Sequence, residues 1–588
     1  PQSASAPTST LGVLGPRTYH YQALNQREIR LIKVLPERMS VLKTELLHQS
    51  LDDSLDYIAV SYAWGDSMDT EELFLDGAKV PVASSLYYAL TAVRQKKSEV
   101  LVWVDALCID QQNANERATQ VRLMGHIYSK ATSVAVWLGP EADASELAME
   151  LLQDVSDDRA TPQRDKATQE RIRATDTYPE SAALFALFQR EYWRRLWCVQ
   201  EVLLAKQTMV YCGDAVFPWD VYRKAAQAFW GSDSDPHVRQ GPSSFPDKDA
   251  LMQLGDASLL EVMRTCRKQL SENPRDKVFG ILGLLPVATQ REFPVDYSQS
   301  VKTVYTDVVD YLISTTDQLD VIRESIHFPI HVNNAGLPTW CPDCKYWSYI
   351  PQVSGLGRTL GFDASKGSKA QYKFHDKRRK LEIVGIKLDV IKFTGVAVGT
   401  FCSSQDYLMA FLHWRAILLH GLDEEAKSKH HPLHKIFCRT LCLGQVPENH
   451  VLNNDWHDIC YHVFAYLTRM KFPQIALDSD LLESAKATGL IDSRRKFLQA
   501  HFGNRMMGRS FCITEHRLMG MGSGYMMAED LVVVPFGCST PIILRPEGRR
   551  NEYRYVGDIY IDGYMHGEAV EEWEAGHLGR NDSKYMLC

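Results

Sequence analysis

The chain has 588 residues, of which 45% are hydrophobic and 23% charged, with a formal net charge of −8 and a pI of about 6.2. That length predicts several domains of about 150 residues each, with ample apolar material for packed cores. The acidic balance excludes a general nucleic-acid binder, which needs a basic footprint, and no apolar run reaches the ~18 residues needed to cross a bilayer.

Residues 1–16, "PQSASAPTSTLGVLGP", are small and polar and read as disordered, without the charged and apolar regions of a signal peptide. The 13 cysteines are odd in number and irregularly spaced, which fits reduced thiols and a soluble, cytoplasmic protein. Residues 17–53 contain the strand-like run "EIRLIKVLP" and lead into a first domain. "DYIAVSYAWGD", 56–66, is a strand entering a tight loop at Gly65. "EVLVWVDALCIDQQN", 99–113, is apolar almost throughout, as expected of a strand covered on both faces. "ERATQVRLMGHIYSKA" has Val121, Met124, Ile127 and Tyr128 at helical spacing, and "TSVAVWLGP" is another strand. A charged insertion follows, then the helical "SAALFALFQREYWRRLWCVQEVLLAKQ" and the strand "TMVYCGD". This alternation predicts an α/β, parallel-sheet domain over 54–215. Residues 216–330 read as mostly helical, with Val301, Val304, Tyr305, Val308, Val309 and Leu312 on one helix face. Residues 331–588 read as a mixed α+β region with an antiparallel sheet, and helices from about 403 to 505 between its two β parts.

Three blocks carry a resemblance. "YIAVSYAWGD", "VWVDALCIDQQNANERATQVRLMGHIYSKATSVAVWLGP" and "YWRRLWCVQE", in this order, resemble the fungal heterokaryon-incompatibility (HET) domain family. Downstream, "NPRDKVFGILGL", "LPTWCPDC" and "GRSFCITEHRLMGMG" look like segments that often follow this domain. The resemblance implies a role in non-self recognition and regulated cell death after fusion of unlike hyphae. The HET domain is in turn similar to the Toll/interleukin-receptor (TIR) domain, which implies a flavodoxin-like parallel sheet. "WCVQE" matches the TIR pattern WCxxE, whose glutamate is catalytic in the members that cleave NAD; carried across, it is Glu201.

The chemistry suits one carboxylate. Nicotinamide leaves NAD as a neutral amide and needs no general acid, so the remaining demand is stabilisation of an oxocarbenium-like ribose by one ionised carboxylate. Ligands of such sheets bind at the carboxyl ends of the strands. The loops "SYAWGD" and "DALCIDQQN" follow their strands, which makes Ser61, Tyr62, Trp64, Gly65, Asp105, Cys108 and Asp110 candidate binding residues. Trp64 or Trp197 offers a stacking face, Gly65 a close backbone approach, and Arg194 or Arg195 a pyrophosphate contact. The residues also admit plainer roles. Glu201 can be a helix-surface carboxylate paired with Arg194, Arg195 or Lys206. Trp193 and Trp197, four apart on one helical face, can be core; Asp105 and Asp110 can orient loops; Cys108 and Cys198 can be small buried hydrophobes.

The function expected is thus heterokaryon incompatibility with NAD as a substrate. The alternatives are a non-enzymatic self-associating signalling module and an enzyme acting on a small molecule in fungal secondary metabolism. A nucleotide or small-molecule ligand, a homo-oligomer and an incompatibility partner protein are the expected partners, with no metal, no nucleic acid and no membrane span. Other motifs carry less. "GNRMMGRS", 503–510, follows a helical stretch, unlike a phosphate-binding loop. "HHPLHKIFCRTLC", 430–442, reads as a helix with partly buried Cys and exposed His rather than a zinc site. "CPDC", 341–344, is a lone CxxC, "GMGSG", 520–524, reads as a hairpin tip and "KRRK", 377–380, as a solvated turn.

Overall fold

The computed structural model describes residues 19–36, 41–54, 56–66, 68–157, 162–173, 178–230, 241–245, 258–325, 336–345, 361–398, 404–445, 456–486, 506–548, 551–577 and 581–588. The expected disorder of 1–16 and the start of "GNRMMGRS" lie outside these residues. Contacts divide the chain into two compact units, Pro1–Ser300 and Val301–Cys588.

The first unit is built on nine strands: β1 (Glu28–Val34), β2 (Lys43–Ser50), β3 (Ile58–Tyr62), β4 (Thr70–Leu75), β5 (Ala78–Ala83), β6 (Val100–Trp103), β7 (Ser133–Trp137), β8 (Thr208–Cys212) and β9 (Ala215–Pro218). They form one sheet in the order β5-β4-β2-β1-β6-β3-β7-β8-β9. The central four, β6-β3-β7-β8, run parallel. Their sequences, VLVW, IAVSY, SVAVW and TMVYC, are rich in β-branched and aromatic residues and mostly buried, as strands covered on both faces must be. The expected parallel sheet is thus the centre of a larger, mixed one: β1 pairs antiparallel with β2 and β6, β4 with β5, and β8 with β9. Tight turns allow this. Asp76 and Gly77 link β4 to β5 with φ of 50° and 80°, the conformation a two-residue hairpin requires.

Helices connect the strands: α1 (Ser84–Val93), the single turn α2 (Asp105–Cys108), α3 (Ala114–Lys130), α4 (Ser145–Ser156), α5 (Pro162–Arg173), α6 (Pro179–Phe188) and α7 (Leu196–Leu203). The apolar run at 99–113 is therefore a four-residue strand followed by a helical turn. The start of α3 is encoded locally: the Asn113 side chain accepts hydrogen bonds from the Asn115 and Glu116 backbone N–H groups at 3.1 and 3.2 Å, and Lys130 closes the last turn. The stretch expected as one helix before Lys206 is broken. A 3₁₀ turn, Glu191–Arg194, ends at Arg195, whose backbone is extended (φ −82°, ψ 133°), and α7 starts afresh. Trp193 and Trp197 therefore do not share a helical face.

The second unit contains β10 (Tyr372–His375), β11 (Lys380–Thr394), β12 (Arg509–Thr514), β13 (Met519–Ser523), β14 (Leu531–Pro535), β15 (Ile542–Glu547), β16 (Glu552–Ile561) and β17 (Asp582–Leu587). The long β11 pairs with β12 at one end and with β14 at the other, closing a ring β11-β12-β13-β16-β15-β14. All pairings are antiparallel except β16 with β17. "GMGSG" is strand, not hairpin tip: Gly520 and Gly522 lie where an added Cβ would meet Ile559 and Ile561 side chains at 3.0 Å or less, so glycine lets β16 approach without pushing those side chains aside. The basic turn "KRRK" joins β10 to β11, and Arg378 pairs with Asp307 and Asp310. Val304, Tyr305, Val308, Val309 and Leu312 of the helix Val301–Thr316 are buried, as the spacing predicts, while Val301, its first residue, is half-buried. Helices Ser404–Leu419, Pro432–Leu441 and Trp456–Lys471 share a core in which Phe411 and Phe464 stack at 4.0 Å.

Candidate functional site

The carboxyl end of β3 gathers the chemistry. Ser61 is the penultimate residue of this strand, and its hydroxyl donates to the Glu201 carboxylate, 140 residues later in the chain. Since that proton is committed, the Tyr192 hydroxyl 2.8 Å away donates to Ser61 Oγ. Tyr128, on α3, donates to the Val60 carbonyl oxygen at 3.2 Å, and its hydroxyl favours the ionised form of Glu201. α7 brings Glu201 here because seven of its eight residues are buried, so the helix is inserted rather than laid on a surface. Glu201 is only 5% exposed. The surface-carboxylate role is therefore excluded.

Burial raises the Glu201 carboxyl to about 7, and the like charge of Asp105 pushes in the same direction; Ser61, Arg195 and Tyr128 pull the other way. Asp105 opens α2 just past the end of β6, and burial raises its carboxyl as well. It accepts a hydrogen bond from Trp64 Nε1 at 3.0 Å. The Arg195 guanidinium lies 5.5 Å from the centroid of the Trp64 ring, in cation–π range, and its charge favours ionisation of both Asp105 and Glu201. Trp64, Asp105 and Arg195 are half-buried, and Tyr62, buried, completes the group. A carboxyl poised near neutrality among aromatic rings and one arginine can hold or release a proton, stabilise a neighbouring cation, or serve as a neutral packing group.

The other expected site residues scatter. Gly65 has φ of +72°, which lets the chain turn outward after Trp64, whose carbonyl oxygen accepts from Ser85 Oγ at 2.5 Å. Arg194 is exposed; extension of the backbone at Arg195 turns the second arginine, not the first, toward the acids. Cys108 is fully buried and pushed up to about 12 by burial, so it is a core thiol and not a ligand contact. Asp110 accepts from the Gln112 backbone N–H at 3.0 Å and shapes the loop. Trp197 donates to Asp276 at 3.2 Å instead of meeting Glu201. Sequence reasoning missed Tyr128, Tyr192 and Asp276. All three stand inside quoted blocks: Tyr128 in an apolar stripe of "ERATQVRLMGHIYSKA", Tyr192 in "YWRRLWCVQE" and Asp276 in "NPRDKVFGILGL".

No metal centre emerges: among the described residues no group of three or more His, Cys, Asp or Glu side chains is placed to hold an ion. His434 is not exposed, as its helix pattern suggested, but fully buried against the Tyr461 hydroxyl, with Cys438 and Cys442 packed in the same core. Cys341 and Cys344 are buried free thiols. No helix among the described residues is long and apolar enough to cross a membrane.

Comparison with known proteins follows the same division. Residues 57–201 match the family model "Heterokaryon incompatibility protein (HET)", a match that ends on Glu201, and residues 481–577 match "Het-6 beta-barrel domain". The chain is 25% identical over 642 aligned positions, covering 88% of it and 90% of the relative, to heterokaryon incompatibility protein 6, OR allele, of Neurospora crassa. No solved structure matches. The chain thus carries a HET domain over 57–201 and a Het-6 β-barrel domain over 481–577.

Proposed function

We propose that this protein acts in heterokaryon incompatibility through a TIR-like HET domain that cleaves NAD, with Glu201 as the chemical group. The observation that carries this reading is a single carboxyl tuned to about 7 beside the carboxyl end of β3. Raised that far, it lies near the balance between its charged and neutral forms at neutral pH, the poise expected of a group that works in one charge state and rests in the other. The strand order lends support: numbered by chain order, the four parallel strands run 2-1-3-4, as in flavodoxin-like sheets, whose ligands bind outside the carboxyl ends at the switch point. In the reaction the bond from ribose C1′ to the nicotinamide nitrogen breaks and its electron pair leaves with nicotinamide. The Glu201 carboxylate stabilises the cationic ribose, water adds to C1′, and the water proton passes to solvent. Trp64 supplies a stacking face, and Arg195 faces the pyrophosphate.

The 5% exposure of Glu201 favours a second reading, a non-enzymatic self-associating module in which the neutral carboxyl pins α7 to β3. Nicotinamide release from NAD by the purified full chain separates the two. Turnover abolished by Glu201→Gln supports the first. Absence of turnover in the wild type at every pH, with concentration-dependent assembly, supports the second.

A further inference from the structure

The segment "NPRDKVFGILGL", 273–284, lies beyond the residues matched by the HET family model, yet it grips the helix that carries Glu201. Along α7 the grip repeats. Just before the segment, the Leu270 carbonyl oxygen accepts from the Leu196 backbone N–H at 2.9 Å. Trp197 Nε1 donates to Asp276 at 3.2 Å. Gln200 Oε1 accepts from the Gly283 backbone N–H at 3.0 Å. Gly283 sits so close that an added Cβ would fall 2.6 Å from Gln200 Oε1, and a Cβ on Gly125 of α3 would fall 3.3 Å from Gly283 Cα. The segment thus wedges between α7, which holds Glu201, and α3, which holds Tyr128.

Asp276 is the polar centre of this wedge. It is 8% exposed, and one oxygen accepts from Trp197 while the other accepts from the Tyr297 hydroxyl at 2.8 Å. Arg117 lies over the Tyr297 ring at 5.4 Å and donates to the Gln111 carbonyl oxygen at 3.1 Å. Gln111 in turn donates to the Asp105 carbonyl oxygen at 2.9 Å. One continuous set of contacts therefore runs from Asp276 to both acids of the site, through Trp197 and α7 to Glu201, and through Tyr297, Arg117 and Gln111 to Asp105.

We propose that Asp276 is a positioning residue of the HET site: as a double hydrogen-bond acceptor it fixes Trp197, and through α7 it sets the depth at which Glu201 is held. The proposal deepens the reading of Glu201 as the working group and rests on it for its meaning in turnover. What Asp276 contributes is acceptor geometry rather than charge. Asparagine keeps one acceptor oxygen, whereas alanine keeps none.

The test reads Glu201 itself, in the full-length protein, so it stands apart from NAD turnover. The buried-carboxyl infrared band that disappears in Glu201→Gln is titrated in the wild type and in Asp276→Ala, Asp276→Asn and Trp197→Phe. Hydrogen exchange is followed over residues 196–203 in the same proteins. With Asp276→Ala the midpoint falls by about one unit toward the ordinary carboxylate range as water reaches the group, and exchange in α7 quickens about tenfold for the lost hydrogen bond. Trp197→Phe, which keeps an aromatic ring but loses the indole N–H donor and the second ring, does the same and serves if Asp276→Ala fails to fold. Asp276→Asn restores most of both readouts. An unchanged midpoint in Asp276→Ala and Trp197→Phe overturns the proposal, as does a midpoint in Asp276→Asn that follows the alanine variant. Absence of NAD turnover in the wild type, with these shifts present, defeats the enzymatic reading alone.

Discussion

Replacing Glu201 by Gln removes a charge while nearly preserving shape, and the structure fixes the sign of the effect. The folded carboxyl is raised to about 7 from an ordinary value of 4.5, so the native state prefers the protonated form. This contribution to stability is fully present below pH 4.5 and is lost as pH rises through 7. At about 1.36 kcal/mol per unit, the cost of the ionised group grows from under about 1 kcal/mol at pH 5 to about 3 kcal/mol at pH 8.5. Glu201→Gln escapes that cost, so its stability relative to the wild type should improve by about 2–3 kcal/mol between these pH values. Asp105, whose carboxyl is also raised, loses a like-charged neighbour in the variant, which adds to the gain at high pH. Pulse hydrogen-exchange labelling across a urea series, read on peptides covering β3 and α7, measures this unit without requiring the whole chain to unfold at once. Any fixed penalty for the amide cancels in the difference between the two pH values. A gap between variant and wild type that stays flat, or moves against the variant as pH rises, would refute the assignment of Glu201 as a buried, raised carboxyl.

Three further outcomes are expected. Ser61→Ala removes the donor that favours the ionised form, so the Glu201 midpoint rises further and the pH profile of the proposed NAD cleavage moves to higher pH; the infrared titration and nicotinamide release check this. Arg195→Ala raises the same midpoint by removing the facing cation, whereas Arg194→Ala, an exposed change, stays within about 0.5 kcal/mol of wild-type stability; parallel denaturation of both variants separates them. Arg30→Met breaks a buried pair, because the Arg30 guanidinium is fully buried on Glu116 at 2.6 and 3.0 Å; leaving that glutamate alone should cost about 3–5 kcal/mol, measured by urea unfolding.

Much of the scaffold could be read from local chemistry. The β-branched runs IAVSY, VLVW and SVAVW announce the central strands, and Asn113 announces the start of α3, because strand preference and capping depend on residues a few positions away. The three quoted blocks also supply Ser61, Trp64, Asp105 and Glu201, which the fold brings to one place. The break at Arg195 was not legible, since nothing in "YWRRLWC" forbids a continuous helix; the bridge between Arg195 and Leu270 is a contact across 75 residues of chain. That break decides which arginine meets the acids and sends Trp197 to Asp276. The Gly520 and Gly522 positions were misread for the same reason, because glycine in a strand reports the closeness of a neighbour that the local sequence does not contain.

The sequence by itself determined which segments become strands and helices and which acid the family pattern marks, because periodicity, caps and motifs are written in adjacent residues. Only the tertiary structure decided that this acid is buried, feels the charges of Asp105 and Arg195, and sits on a helix whose Trp197 is bonded to Asp276, beyond the matched domain. Burial and electrostatic coupling depend on distances between groups far apart in the chain, and those distances exist only once the sheet has assembled and α7 is inserted against it.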